Sequence, residues 1–85
     1  MFFVYVLRSL KDKKLYIGFT KDLEKRIKEH NSGPNKSTKP RRPLELIYYE
    51  AYKSEKDAKK REEMLKLFGR AVGGLKRRIS SSLES

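Results

Sequence analysis

A carboxylate within an apolar helical stripe is the first residue that could carry chemistry. The stripe consists of apolar residues at helical spacing: Ala58, Leu65 and Phe68. Glu62 lies four residues after Ala58 and three before Leu65, so it falls on the same face. Placing a carboxylate beside a hydrophobic core costs free energy unless a cation or a hydrogen-bond donor pairs with it. Glu62 is therefore either a ligand or half of an i, i+4 pair with Lys66, which helix geometry slightly favours. Glu63, about 100° further round, should be exposed.

A guanidinium and an imidazole share a face of another predicted helix. Arg26 and His30 are four residues apart, beside the apolar pair Leu23 and Ile27. His30 is the only histidine in the chain. A lone histidine is more often a cap or a surface residue than a catalyst, and Arg26 is one of many basic residues. Position alone therefore assigns neither of them a role.

Two tyrosines lie in the two strands of a predicted β-hairpin. Tyr5 and Tyr16 share a face if the numbers of paired residues add to an odd value, as when Tyr5 lies opposite Gly18 and Leu7 opposite Tyr16. Tyrosine is common in strands, so two core side chains are the ordinary interpretation of this pattern.

The charge balance indicates a polyanionic partner. The 85 residues include 22 Lys and Arg but only 11 Asp and Glu, a formal net charge of +11. Nucleic acid is the first candidate partner and an anionic membrane surface the second. The chain has no cysteine, which excludes disulfides, a disulfide-linked partner and a thiolate zinc site. No apolar run reaches the roughly 20 residues that cross a bilayer, and a cytoplasmic location is expected.

The elements that must position these residues follow from hydrophobic patterning and from turn signals. Strands are predicted at residues 2–7, 15–19 and 44–52. Helices are predicted at 21–30 with Thr20 as N-cap, at 55–68 with Ser54 as N-cap, and around Val72, Leu75 and Ile79. The expected fold is α+β, a three-stranded mostly antiparallel sheet flanked by helices in the order β-β-α-β-α-α. Residues 1–79 form one domain, and residues 80–85 are expected to be a disordered tail.

These motifs, taken in order, resemble a known family. Val4 to Leu7, then Tyr16 to Asn31, then a basic loop containing Thr38 and 41–44, and finally 54–62 resemble the GIY-YIG nuclease domain. The likeness covers roughly residues 2–68 and is strongest to small stand-alone bacterial members. Those members are related to the N-terminal nuclease domain of the excision-repair endonuclease, which connects the family with DNA repair. Phe3 replaces the opening glycine of the motif.

The resemblance implies roles for five side chains. Tyr5 and Tyr16 would be the signature tyrosines, Arg26 the catalytic arginine, His30 a site histidine and Glu62 the single metal ligand. One divalent ion, Mg²⁺ or Mn²⁺, would bind Glu62, because hard cations prefer oxygen ligands. Tyr5 would orient or deprotonate the attacking water, provided that nearby cations lower its pKa.

The expected activity is hydrolysis of nucleic-acid phosphodiester bonds by a metal-dependent endonuclease, with DNA ahead of RNA. The backbone would be held by basic and loop residues: Lys36, Thr38, Lys39, Arg41, Arg42, Lys59, Lys60 and Arg61. One alternative is a non-catalytic nucleic-acid-binding module on the same fold. A second is a small basic ribosome- or membrane-associated protein whose charge is its whole function. The oligomeric state does not follow from the sequence.

Overall fold

The sheet has three antiparallel strands, as predicted. The computed structural model describes residues 1–33, 38–67 and 69–84. Its strands are β1 (Phe2–Ser9), β2 (Leu15–Thr20) and β3 (Leu44–Tyr52), in the spatial order β2-β1-β3. The central strand β1 is buried from Val4 to Ser9, because it is paired along both edges and covered on both faces.

The helices follow in the predicted order, with two additions, a 3-10 turn and a short C-terminal helix. They are α1 (Leu23–Ser32), α2 (Glu55–Leu67) and α3 (Gly69–Arg78), and a single 3-10 turn at Lys39–Arg41 precedes β3. None of the helices in the described part of the chain is long and apolar enough to cross a membrane. Phe68 and Ser85 lie outside the described residues, as does the side chain of Val72.

The predicted disordered tail differs from the structure. Ser80–Glu84 form a short helix, α4, directly after α3. Leu83 packs against the core, and the Arg8 guanidinium donates a hydrogen bond to the Leu83 carbonyl. The polar composition of the tail suggested fraying, but one apolar side chain and one long-range hydrogen bond order it.

The core has two parts, one on each face of β1. Val4 and Val6 pack with side chains of α2 and α3 and with Ile79: Ala58, Leu65 and Leu75 belong to the same cluster. Tyr5 and Leu7 point the other way and pack with the partly buried side chains of Leu23 and Ile27 from α1. Successive residues of a strand face opposite sides of its sheet. The arginine-bearing helix α1 and the glutamate-bearing helix α2 therefore lie on opposite faces.

The hairpin register matches the one that places the two tyrosines on one face. Tyr5 pairs with Gly18, and Leu7 pairs with Tyr16. On the other edge of β1, the register with β3 shifts between Val6 and Leu7. This irregularity turns Leu44 and Leu46 toward the α1 face and Tyr48 toward the α2 face.

One of the two predicted helix caps is wrong. Asp22, not Thr20, is the N-cap of α1, since its carboxylate accepts the backbone N–H of Lys25 at 3.1 Å. The Thr20 hydroxyl instead accepts from the Asp22 N–H, which forms a turn that leads into the helix. Ser54 does act as predicted, because its hydroxyl accepts from the Asp57 N–H at 3.4 Å.

A partly buried ion pair connects β3 to α2. The Glu50 carboxylate accepts from Arg61 Nε at 3.0 Å and from the Tyr48 hydroxyl at 2.6 Å, and the Tyr52 hydroxyl donates to it as well. Burial and the neighbouring carboxylate raise the pKa of Tyr52 to about 12. Arg61 was predicted to contact nucleic acid, and the structure places its guanidinium on this carboxylate.

Candidate active site

The hydroxyl of Tyr5 lies at the centre of a buried hydrogen-bond chain. Arg26 Nε donates to it at 3.4 Å, and Nε2 of His30 lies 2.8 Å from it. Arg26 and His30 both come from α1, one turn apart, and Tyr5 comes from the centre of β1. Three residues separated by up to 25 positions therefore meet around one phenol oxygen.

The hydrogen bonds around His30 define its tautomer. Burial, followed by the charge of Arg26, lowers the pKa of His30, so the imidazole is neutral at pH 7. Nδ1 lies 3.0 Å from the Thr38 hydroxyl, and that hydroxyl donates to the His30 carbonyl. These contacts fit the tautomer in which Nδ1 carries the ring proton and donates to Thr38. Nε2 is then the acceptor, and Tyr5 donates to it.

Two further residues hold α1 in place below this chain. Arg42 Nε donates to the His30 carbonyl at 2.6 Å, and its terminal nitrogen reaches the Gly33 carbonyl, so it caps the C-terminal end of α1. Asn31 donates to the Leu44 carbonyl at 2.8 Å and accepts from the Leu44 N–H at 2.7 Å, which joins α1 to β3. Sequence reasoning missed both roles. Asn31 lies 13 residues before Leu44, the first residue of β3, so no local pattern connects the two.

Tyr16 completes an aromatic cluster over the histidine. Its ring centroid lies 4.8 Å from that of His30, edge to face, and 6.5 Å from that of Tyr5. Edge-to-face geometry is favourable for aromatic pairs. The half-exposed Tyr16 therefore covers the buried chain on its open side.

Gly18 makes room for the Tyr5 ring. A Cβ atom at Gly18 would lie 2.3 Å from both Cζ and the hydroxyl oxygen of Tyr5. The phenol crosses β2 at its cross-strand partner, and it reaches the sheet edge only because that partner has no side chain. The glycine of the Tyr-Ile-Gly motif is thus explained by space.

Gly18→Ala is expected to destabilise the protein by about 1–3 kcal/mol, because overpacking forces a buried ring to move. Gly73, within α3, has no atom within 4 Å of its would-be Cβ, so Gly73→Ala is the matched control. Alanine there should stabilise the helix by roughly 0.5–1 kcal/mol. Urea denaturation of both variants measures the contrast, and equal midpoints would show that the Tyr5 ring does not need the space.

The electrostatics of Tyr5 differ from the expectation that cations would lower its pKa. Burial raises the pKa of Tyr5 and outweighs the lowering by the hydrogen bond and charge of Arg26. Tyr16 and Glu62 raise it further. Tyr5 is therefore a protonated phenol at neutral pH, a group that donates one hydrogen bond and accepts others.

Glu62 lies on α2, on the opposite face of the sheet from Arg26 and His30. Its charge raises the pKa of Tyr5, and this is the weakest of the named effects on that pKa. The side chain is 21% exposed, and Lys66 Nζ lies 3.1 Å from its carboxylate. The i, i+4 pair with Lys66 therefore exists, and the metal-ligand role of Glu62 stays a prediction. Glu63 is exposed, as predicted.

Glu62 is the carboxylate that the family resemblance assigns to a metal ion. Residues 1–33, 38–67 and 69–84 contain no group of three or more His, Cys, Asp or Glu side chains that could hold one. Mg²⁺ is commonly bound through one or two carboxylates, with water and substrate phosphate completing its shell. The half-buried Glu62 can supply such a carboxylate ligand once Lys66 has released it.

Most side chains predicted to hold nucleic acid make internal contacts. Thr38 is fully buried against His30, Arg42 caps α1, and Arg41 donates to the Leu15 carbonyl at 3.2 Å and to Asp12. Lys59 pairs with Glu55 at 3.1 Å. Lys39 and Lys60 are exposed, and Lys36 lies outside the described residues. The nucleic-acid contacts of this set stay predictions, and the paired members would give up internal bonds to make them.

The unfolding free energy is expected to decrease as the pH is lowered from 7.0 to 5.5. The folded protein depresses the pKa of His30, whereas the unfolded chain restores it to about 6.5. The unfolded chain then binds the proton more tightly, so stability present above pH 6.5 is lost as the pH falls toward the folded pKa. Urea titrations of the protein and of His30→Gln measure it, and the variant should show the flatter profile.

The same pH profile in both proteins would contradict this assignment. No other histidine is present to supply the slope. If His30→Gln does not fold, NMR titration of the His30 ring in the unsubstituted protein reports the pKa directly, and a value at or above the ordinary one would contradict it equally.

Comparisons with known proteins identify the family of this chain. A family model described as the GIY-YIG catalytic domain matches residues 1–79. A UPF0213 protein of Staphylococcus saprophyticus is 45% identical over 69 residues, which cover 80% of this chain and 83% of the relative. A UPF0213 protein of Clostridium perfringens is 45% identical over 67 residues, 78% of this chain and 71% of the relative. No solved structure matches significantly. The chain therefore belongs to the GIY-YIG family of nuclease-type domains, alongside the bacterial UPF0213 proteins.

Proposed function

We propose that this protein is a metal-dependent endonuclease that hydrolyses nucleic-acid phosphodiester bonds, with DNA as the first substrate to test. The observation that carries the proposal is the Tyr5 hydroxyl held between Arg26 and His30. The hydrogen bond from Tyr5 to His30 supplies a path for a proton. The guanidinium of Arg26 supplies a cation that can bind phosphate. A cytoplasmic location and a role in DNA repair are parts of the same proposal.

Tyr5 and His30 would activate the attacking water together. Because the pKa of Tyr5 is raised, the phenol is protonated before the reaction begins. It can take a proton from water only while it gives its own proton to another group. The water proton passes to the Tyr5 oxygen while the Tyr5 proton passes to Nε2 of His30, 2.8 Å away. Hydroxide then attacks phosphorus, and the bond between phosphorus and the leaving oxygen breaks. The leaving alkoxide takes a proton from water, and the imidazolium formed at His30 returns its proton to solvent. Tyr5→Phe removes both halves of this transfer.

Arg26 would stabilise the charge that develops on the phosphoryl group. Its Nε is engaged by Tyr5, and its terminal nitrogens make no hydrogen bond to a residue in the described ranges. A planar guanidinium with its outer edge available suits two non-bridging oxygens at once. The same bond that aligns the phenol thus orients the guanidinium toward the substrate.

Glu62 would hold a divalent cation at the same sheet edge. When bound, Mg²⁺ or Mn²⁺ supplies Lewis acidity to the phosphate and to the leaving oxygen. Glu62 contributes a half-buried carboxylate, and Lys66 must release it first. Lys66 then stays beside the phosphate as a second cation.

The test is nicking of supercoiled plasmid DNA by the purified protein with millimolar Mg²⁺ or Mn²⁺. We expect relaxed and linear products that vanish when a chelator is added, and none from Tyr5→Phe. An active Tyr5→Phe preparation would point to a contaminating nuclease and would refute the proton path.

The Lys66–Glu62 pair favours one alternative, a nucleic-acid-binding module without cleavage. A lysine that stays on the only available carboxylate would exclude a metal ion. Tight, salt-sensitive binding of DNA without nicking at any Mg²⁺ or Mn²⁺ concentration would establish this second function.

A further inference from the structure

A large groove lies beside the candidate active site, on the free edge of β2. It has a volume of about 1010 Å³ and runs between the hairpin turn, β2, α2 and α3. Small-molecule sites usually measure about 300–1,000 Å³, so this groove is at the upper end of that range. Tyr16 lines it, and Tyr16 also covers His30. Lys66, the partner of Glu62, lines it as well, so the groove reaches the ion pair that contains the proposed metal ligand.

The groove has a cationic rim and an apolar floor. Its charged lining is entirely basic: Arg8, Lys13, Lys14, Lys66 and Lys76. Arg8 and Lys66 have carboxylate partners, whereas Lys13, Lys14 and Lys76 have none among the described residues. The remaining lining is apolar apart from Tyr16 and includes Leu15, Ile17 and Leu65. Three ammonium groups without a carboxylate partner in the described ranges thus lie beside an aliphatic surface. This combination suits a ligand that has a polyanionic backbone and flat, weakly polar side groups.

The backbone at Lys13 gives a second, independent observation. Lys13 has φ 63°, and it is the only non-glycine residue with positive φ in the described part of the chain. This left-handed conformation favours glycine or asparagine, and another residue there is strained. A backbone outlier that persists is a pointer to function. At this turn it places a lysine on the groove rim where asparagine would fit with less strain.

We infer that this groove binds a single-stranded segment of nucleic acid that adjoins the scissile phosphate. Phosphates would lie against Lys13, Lys14 and Lys76, and sugars or bases would lie on the apolar floor next to Tyr16. Basic grooves with stacking side chains are the common means of holding a single strand. A flat lipid surface cannot enter a concave groove. The inference rests on the proposed function only for the identity of the reacting phosphate.

The experiment measures binding of fluorescent oligo-dT to the full protein in the presence of a chelator, so cleavage cannot interfere. The groove variant is Lys13→Asn with Lys14→Gln and Lys76→Gln. The control removes the same charge from exposed lysines elsewhere: Lys28→Gln, Lys53→Gln and Lys56→Gln. Each phosphate contact adds about 0.7 to the salt slope of single-strand binding, so the groove variant should lose about 2 from that slope. The control should lose less than half as much.

Lys13→Asn alone separates binding from folding. It should weaken oligo-dT binding severalfold while the thermal midpoint is unchanged or higher, since asparagine tolerates this backbone conformation. Weaker binding together with a lower midpoint would overturn the claim that strain serves binding. Groove and control variants with equal slopes would overturn the groove itself.

Three parallel arms identify the occupant. Oligo-U replaces oligo-dT to distinguish RNA from DNA. With either oligonucleotide, a larger loss of the salt slope in the groove variant than in the control variant supports the groove. An equal loss with a dA·dT duplex would overturn the single-strand assignment. Loss of binding to phosphatidylserine vesicles, with oligonucleotide binding intact, would assign the groove to a membrane surface. A groove-dependent slope without plasmid nicking would retain this inference and refute the proposed nuclease.

Discussion

Arg26→Ala is expected to lower the rate of plasmid nicking by at least about 100-fold while the protein remains folded. Losing one charge-stabilising donor at a developing oxyanion raises the barrier by about 2.7–4 kcal/mol. The side chain is only half-buried, and its one hydrogen bond to a described residue is the 3.4 Å contact with Tyr5, so the fold should tolerate its loss. Single-turnover nicking, with circular dichroism to verify folding, measures both parts.

Arg26→Lys is the informative companion variant. It keeps the positive charge but loses the planar fork that can reach the Tyr5 hydroxyl and two phosphate oxygens together. Most of the loss should therefore persist. Since Arg26 lowers the pKa of Tyr5, ultraviolet titration of Arg26→Ala should show one tyrosine ionising at higher pH than before. Near-normal nicking by either variant would remove Arg26 from the mechanism.

Glu62→Gln is expected to abolish metal-dependent nicking, by a factor of about 100 or more. The amide is isosteric but cannot neutralise a divalent cation, so neither higher Mg²⁺ nor Mn²⁺ should restore full activity. Stability should change by less than about 1 kcal/mol, because the ion pair with Lys66 is partly exposed to solvent. Nicking measured over a range of Mg²⁺ concentrations checks the loss.

The neighbouring carboxylate provides the matched control. Glu63 is exposed and is rotated about 100° away on the same helix, so Glu63→Gln makes the same chemical change outside the site. We expect activity within about twofold of the unsubstituted protein. Equal losses in the two variants would mean that the net charge of α2, rather than a ligand at Glu62, sets the rate.

Local patterns predicted the fold for physical reasons, whereas only the family resemblance gave the side chains of the site their roles. The hairpin pairing of Tyr5 with Gly18 depends on one parity choice, and the tight turn allows few registers. Arg26 and His30 share a face because helix geometry requires it. The N-cap of α1 was predicted wrongly, since Thr20 and Asp22 are both good caps and only the turn geometry decides between them.

The rest of the site depends on long-range contacts that no window of sequence contains. The hydrogen bond between His30 and Thr38 joins α1 to the residue before the 3-10 turn, so Thr38 had no local signal for its role. Burial of Tyr5 depends on the packing of α1 against the sheet, and it reverses the expected direction of the pKa shift of Tyr5. In the sequence, Arg61 appeared to be one of several surface cations. Its ion pair with Glu50 depends on the packing of α2 against β3, which no local pattern predicts.

The alternation of β1 has a consequence for how this domain can change over generations. Val4 and Val6 hold one helix layer, while Tyr5 and Leu7 serve the opposite one. Inserting or deleting a single residue within Phe2–Ser9 would exchange the two sets and carry the phenol away from its imidazole. Length changes in the exposed turn near Lys11 would leave the alternation untouched. This strand should therefore accept substitutions of similar size far more readily than any change in length.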